Sequence, residues 1–250
     1  MDLNADVGEG YGVWRMGDDA ALMPYLTSAN IATGAHAGDP DTMWETVALA
    51  ARWGVTVGAH VAFPDRRGFG RRAWPGTPGE LLPELLAQIG ALTAICRSQG
   101  LAVAYVKPHG ALYHAVNWER PWQALVVEVL ERLGEPRAVM VQAGTPAVQW
   151  FAEAGIRVIR EGFADRRYDA DGRLVERRQP GAVLDPAQAA AQAVELAVAG
   201  QVATRGGGRL TLHVDSLCVH GDTPGAAAVL RTVREALEGA GVPIAPACGG

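Results

Sequence analysis

The chain is almost without lysine. Of its 22 basic residues, 21 are arginine, and Lys107 is the one lysine. Cysteine is also scarce: Cys96, Cys218 and Cys248 are an odd number with no CxxC spacing. That argues against a disulfide framework or a cysteine-based structural zinc site. No uninterrupted apolar run nears the roughly 18 residues of a membrane span. No basic N-terminal region leads into an apolar stretch, so no signal peptide is expected. A protein of the cytoplasm, without membrane partners, is the expectation. Positive charge is not in excess either. A net charge of −5 and a pI near 5.7 argue against general nucleic-acid binding. The phosphate-loop pattern GxxxxGK[ST] is missing, and the Gly-rich "VGEGYG" (7–12) is only superficially like it.

What is present is a rhythm. The 250 residues are 49% hydrophobic, enough for one large α/β barrel or two small domains. Helix starts recur as a capping residue plus proline: Asp39-Pro40, Thr77-Pro78, Thr145-Pro146, Asp185-Pro186 and Thr223-Pro224. The cap accepts from an early helix amide, and proline has no amide to satisfy. Glycine closes helices, as at Gly54 and Gly200. Short apolar runs follow: 55–60, 101–110, 138–144 and 156–163. Runs apolar on both faces suit a parallel sheet covered by helices. With 1–10, 28–39 and 216–222 they make seven strands. Strand and helix alternate with no linker between, so residues 1–250 read as one α/β domain. Periodicity alone leaves barrel closure open.

Polar residues gather where these strands end, which is where parallel α/β folds place their sites. Asn4 and Asp6 lie on the first strand, and Asn30 and His36 on or after the second. His60 ends the third, Lys107 and His109 the fourth. Glu161 and Asp165 follow the sixth, and His220 and Asp222 the seventh. A single such histidine more often bonds a loop carbonyl. Four from different strands, with an aspartate and the lone lysine, point to a shared site. Lys107 suits acid–base work or neutralisation of charge in a confined site, because lysine is compact and its pKa responds to burial. A strand-end position predicts little effect of Lys107 on folding. The turn "DADG" (169–172) predicts a hairpin flap. Cys218 reads as core rather than nucleophile, and Trp44, Trp53 and Trp118 read as helix packing.

Six ordered segments, "DLNADVGEGYG", "NIATGAHAGDP", "GAHVAFPDRRGFGRR", "VKPHGALYH", "EGFADRRYDADG" and "CVHGDTPGA", resemble the LamB/YcsF family over nearly the whole chain. Ala5 and Thr33 stand where the family usually has cysteine, so neither thiol is required. The resemblance implies a seven-stranded (β/α) barrel related to polysaccharide deacetylases. It implies ATP-driven hydrolysis of 5-oxo-L-proline to L-glutamate, as the A-subunit of a 5-oxoprolinase with subunits B and C. On that footing Asp6 is a base or metal ligand, and His36 and His60 position water or bind a metal. Lys107 and His109 stabilise oxyanion or phosphate charge. Asn4, Asn30, Glu161, Asp165, His220 and Asp222 contact substrate. A divalent metal, if used, falls to Asp6, His36 and His60. The alternative is a stand-alone metal-dependent deacetylase or amidohydrolase.

Overall fold

A computed structural model describes residues 1–135, 137–222 and 225–249. Seven parallel strands close a barrel. Six of them are β1 (Asp2–Val7), β2 (Ser28–Ala32), β3 (Thr56–Val61), β4 (Val103–Pro108), β5 (Ala138–Gln142) and β6 (Val158–Phe163). A separate antiparallel pair, β7 (Gln201–Ala203) and β8 (Arg209–Thr211), precedes β9 (Ser216–Cys218). β9 pairs with both β6 and β1 and closes the ring. The sequence pattern did not announce β7 and β8, each only three residues long.

Helices pack outside: α1 (Asp19–Leu22), α2 (Pro40–Trp53), α3 (Pro78–Ser98), α4 (Gly110–Trp118), α5 (Arg120–Leu133), α6 (Pro146–Glu153), α7 (Pro186–Ala199) and α8 (Ala226–Gly239). Asp39 caps α2 by accepting from the Thr42 amide, and Thr77 with Glu80 and Asp185 with Gln188 form capping boxes. Thr145 precedes α6 but turns its hydroxyl to Asn117 Oδ1 and the Gln142 carbonyl. The expected cap at Thr223-Pro224 lies outside the described residues. α3 is long and apolar enough by composition to cross a membrane, yet Leu81, Leu85, Ile89 and Leu92 are buried in the core. Trp44 and Trp53 are about half exposed, so the expectation that they pack between helices fails.

Side chains alternate along each strand. On β1, Leu3, Ala5 and Val7 join the apolar core while Asn4 and Asp6 bond groups on other strands inside the barrel. The interior is therefore polar toward the C-terminal end of the strands. Low in the barrel, Tyr105, Ala138, Met140, Ile159 and Cys248 make a small apolar cluster of their own. Gly58 makes room for it. A Cβ there would sit 2.2 Å from the Tyr105 ring.

Candidate active site at the C-terminal end of the barrel

Lys107 stands at the centre. Its Nζ is 2.8 Å from Asp6 Oδ1 and 2.8 Å from Glu161 Oε1. The Asp6 contact is also a hydrogen bond; the Glu161 contact is an ion pair outside hydrogen-bond geometry. Cys218 Sγ lies 3.6 Å away, fully buried, and burial raises its thiol pKa, so it stays a core thiol. Burial works against the ammonium, but Asp6 and Glu161 outweigh it and hold Lys107 charged well above the ordinary lysine range. Burial also pushes the Asp6 carboxyl up, yet His60 and Lys107 together bring it well below its ordinary value. Of the two roles open to Lys107, the carboxylates favour a fixed cation.

Asn30 anchors this pair from below. It donates to Asp6 Oδ1 and Asn4 Oδ1, both at 2.8 Å, and accepts from the Tyr105 hydroxyl at 2.6 Å. Asn4 in turn donates to Ser216 Oγ at 2.7 Å. Both asparagines are 0% exposed, and neither lines the cavity above. Glu161 is also 0% exposed and accepts from the Tyr113 hydroxyl at 2.6 Å.

Beside this pair sits a group of imidazoles. His60 Nδ1 donates to the Lys107 carbonyl at 3.1 Å, and His109 Nε2 donates to the Phe69 carbonyl at 2.9 Å. His60 Nε2 and His109 Nδ1 then face each other at 3.0 Å, and His60 Nε2 is 3.3 Å from Asp6 Oδ2. His36 stacks on His109 with centroids 3.8 Å apart, and its Nε2 is 3.2 Å from Glu9 Oε1. Burial, then the neighbouring imidazoles, lower the pKa of His36, and burial with His60 brings His109 to about 3. Burial, then Asp6 and Asp222, push the Glu9 carboxyl well up. Ligand atoms of Glu9, His36, His60 and His109 lie within 4.8 Å of one another, an arrangement that could hold a metal ion. Asp6 is not in this group; its Oδ1 bonds Lys107 and Asn30, and only its Oδ2 approaches the imidazoles, 3.3 Å from His60 Nε2.

Across the floor, Asp165 accepts from His220 Nδ1 at 3.0 Å and from the His220 amide at 3.1 Å. Burial opposes ionisation of Asp165, but His220 prevails and lowers its pKa. Asp222 pairs with Arg177 through two 2.7 Å bonds and with Arg71 at 2.9 Å. A cavity of about 840 Å³ opens over all of this. Asp6, Lys107, His60, His109, Glu9 and His220 line its floor, with Trp74, Trp122, Arg71, Arg166 and Arg177 higher up. Part of the wall is the "DADG" hairpin. Its turn is held by Asp169 N to Arg173 O and Gly172 N to Asp169 O, and Leu174 and Glu176 face the cavity.

Sequence reasoning missed Glu9, Tyr113 and the arginines 71, 166 and 177. Glu9 had a signal: it sits in the Gly-rich turn directly after a strand that already carries Asn4 and Asp6. Arg71 and Arg166 lie in segments that carry the family resemblance, while Arg177 had no signal among 21 arginines.

The LamB/YcsF family model matches residues 1–249. A protein of Nocardia farcinica, named as the A-subunit of 5-oxoprolinase, is 49% identical over 242 residues, covering 97% of each chain. One of the same name from Mycobacterium avium is 48% identical and covers 99% of each chain. The crystal structure of a lactam utilization protein from Thermus thermophilus superposes with a TM-score of 0.91 at 40% identity, covering 98% of both chains. With its barrel, its strand-end site and full-length matches of this kind, the chain belongs to the LamB/YcsF family.

Proposed function

We propose that this chain is the lactam-opening component of an ATP-dependent 5-oxoprolinase. The observation that carries the reading is the Asp6–Lys107 pair at the floor of the cavity, backed by the buried Glu161, in a chain nearly half identical to proteins bearing that component's name.

Opening the ring of 5-oxoproline means breaking a resonance-stabilised amide. Transfer of the terminal phosphoryl group of ATP to the amide oxygen makes the ring carbon electrophilic. One water adds to that carbon, and the carbon–nitrogen bond breaks. Nitrogen takes a proton, leaving a γ-acyl phosphate. A second water releases phosphate and glutamate. The sum is lactam, ATP and two waters to glutamate, ADP and phosphate.

The cavity residues fit these needs. Lys107 offsets negative charge developing on the oxygens of the ring carbon. Asp6 lines the floor as a carboxylate and orients the attacking water; its lowered pKa makes it a weak base. His220, fixed through Nδ1 by Asp165, carries the proton to the ring nitrogen. Arg71 and Arg166 bring positive charge toward the substrate carboxylate and the phosphoryl group. Asn4 and Asn30 act beneath the substrate, as supports for Asp6. His36 and His109 belong to the imidazole group beside the pair.

ATP as co-substrate, dependence on partner subunits B and C, and a cytoplasmic location belong to the same reading. The missing phosphate loop supports dependence on partners. The test is glutamate release from 5-oxo-L-proline by the chain alone and with both partners, with and without ATP. Turnover that needs ATP and both partners is expected. Strong ATP-dependent turnover by the chain alone refutes the partner requirement. Metal-dependent, ATP-independent deacetylation by the chain alone replaces the reading with the amidohydrolase alternative.

A further inference from the structure

The facing nitrogens of His60 and His109 pose a chemical problem. Each ring spends its one N–H on a backbone carbonyl, Lys107 for His60 and Phe69 for His109. In neutral rings the two nitrogens 3.0 Å apart are both lone pairs, and no hydrogen bond joins them. Lone pairs converge at that distance when a cation belongs between them. Lys107, the one lysine, does not serve there, because Asp6 and Glu161 hold it.

We propose that Glu9, His36, His60 and His109 form a binding site for one divalent cation of the zinc class, open toward the cavity. Four-coordinate zinc with bonds near 2.0–2.1 Å spaces its ligand atoms about 3.3 Å apart. The contacts here are 3.0 Å (His60 Nε2 to His109 Nδ1), 3.2 Å (His36 Nε2 to Glu9 Oε1) and 3.7 Å (His109 Nδ1 to Glu9 Oε1). Three imidazoles and one carboxylate favour zinc-like metals over magnesium or calcium, which prefer oxygen.

The surroundings match a metal centre. Ligating histidines usually donate their second ring nitrogen to a carbonyl or carboxylate, as His60 and His109 do. Phe69, whose carbonyl receives His109, is the one non-glycine residue with positive φ (53°) among the described residues. Gly70 follows at φ 64°, and a Cβ there would lie 2.8 Å from His109 Cδ2 and 2.9 Å from His36 Cβ. The loop thus accepts an unfavourable backbone to press a carbonyl and a bare glycine onto two of the four groups. His36 Nδ1 is buried without a partner, a cost expected where the ring is held for another purpose. Glu9, His60 and His109 line the cavity, so the ion meets whatever binds there. The site stands on this geometry alone.

The test is binding, not turnover. Untagged chain is stripped with a chelator and titrated with Zn²⁺ and with Mg²⁺ by calorimetry, and with Co²⁺ by visible absorption. One equivalent of Zn²⁺ is expected, with far weaker Mg²⁺ binding and a Co²⁺ ligand-field band. Glu9→Gln, nearly isosteric, and His60→Ala should each weaken Zn²⁺ binding at least tenfold. If His60→Ala does not fold, Glu9→Gln decides. No saturable binding by the native chain means the gap holds only a shared proton, and overturns the proposal. So does Zn²⁺ binding unchanged in a folded Glu9→Gln variant. Failure of the lactam reading leaves this result untouched, because no activity is read.

Discussion

Lys107 Nζ and Asp6 Oδ1 meet at 2.8 Å, with side chains only 4% and 12% exposed. The pair spans β4 and β1, and Glu161 on β6 adds a second carboxylate to the same ammonium. Two acids at 2.8 Å from one amine explain why lysine stands here in a chain that uses arginine everywhere else. A guanidinium is larger, planar, and projects its donors in a fixed fork. The small gap among Asp6, Glu161, Asn4 and Cys218 suits a point charge.

Removing the ammonium should destabilise the chain. Its strand-end position suggested little effect on folding, but Lys107 is 3% exposed, Glu161 is fully buried and the Asp6 side chain is only 12% exposed. Lys107→Ala leaves the buried Glu161 and the largely covered Asp6 without their counter-charge, a loss on the order of 3–5 kcal/mol. Chemical denaturation of the chain checks this. An unchanged midpoint would mean the carboxylates take up protons or water at little cost.

Gly58→Ala should act through Tyr105. The new Cβ would fall 2.2 Å from the ring, so the ring must move and weaken its 2.6 Å bond to Asn30. Overpacking of this kind costs about 1–3 kcal/mol. Tyr105→Leu in the same chain should return part of that loss. A double-mutant cycle from melting curves measures it, and strict additivity would show that the two residues do not collide.

Asp2 should make stability depend on pH. It is buried below the site, where it accepts from Thr27, Ser28 and Ser216. Burial raises its pKa, and those hydrogen bonds only partly offset the rise. A raised folded-state pKa gives stability that is present below about 3.8 and lost as pH climbs through the folded value. Asp2→Asn has no carboxyl to ionise. Its melting temperature should therefore gain on the native chain as pH rises from about 4 toward neutral. A constant difference across that range contradicts the assignment.

His220→Gln should lower kcat of the assembled enzyme by about 10²–10⁴, the usual contribution of a positioned proton carrier. Loss confined to KM would make His220 a binding residue instead.

How much was legible follows from what alternation and capping can encode. Most barrel strands were readable as short apolar runs that follow a helix-ending glycine. β7 and β8 were not, since they are short and β8 is largely exposed, so no apolar run marks it. Strand ends marked the polar residues, because chain direction fixes which end of a parallel strand faces the cavity. What each side chain bonds was not written there. Asn30 lies one residue before Ile31 on β2, yet only the register Asp6↔Asn30 and the Gly58 gap place it under Asp6. Glu9 joins the imidazoles through a turn whose path no periodicity predicts. The paired arginines 71 and 177 depend on Asp222, which is far from both along the chain.

The most direct test is glutamate formation from 5-oxo-L-proline by the chain assembled with both partners, with native protein beside Lys107→Arg. The account predicts ATP-dependent turnover by the native assembly. It predicts a loss of about 10²–10³ in kcat for the variant, although charge is kept, because the guanidinium misplaces the donor that offsets negative charge. Undiminished turnover by Lys107→Arg, or glutamate formation with this chain left out, would contradict it.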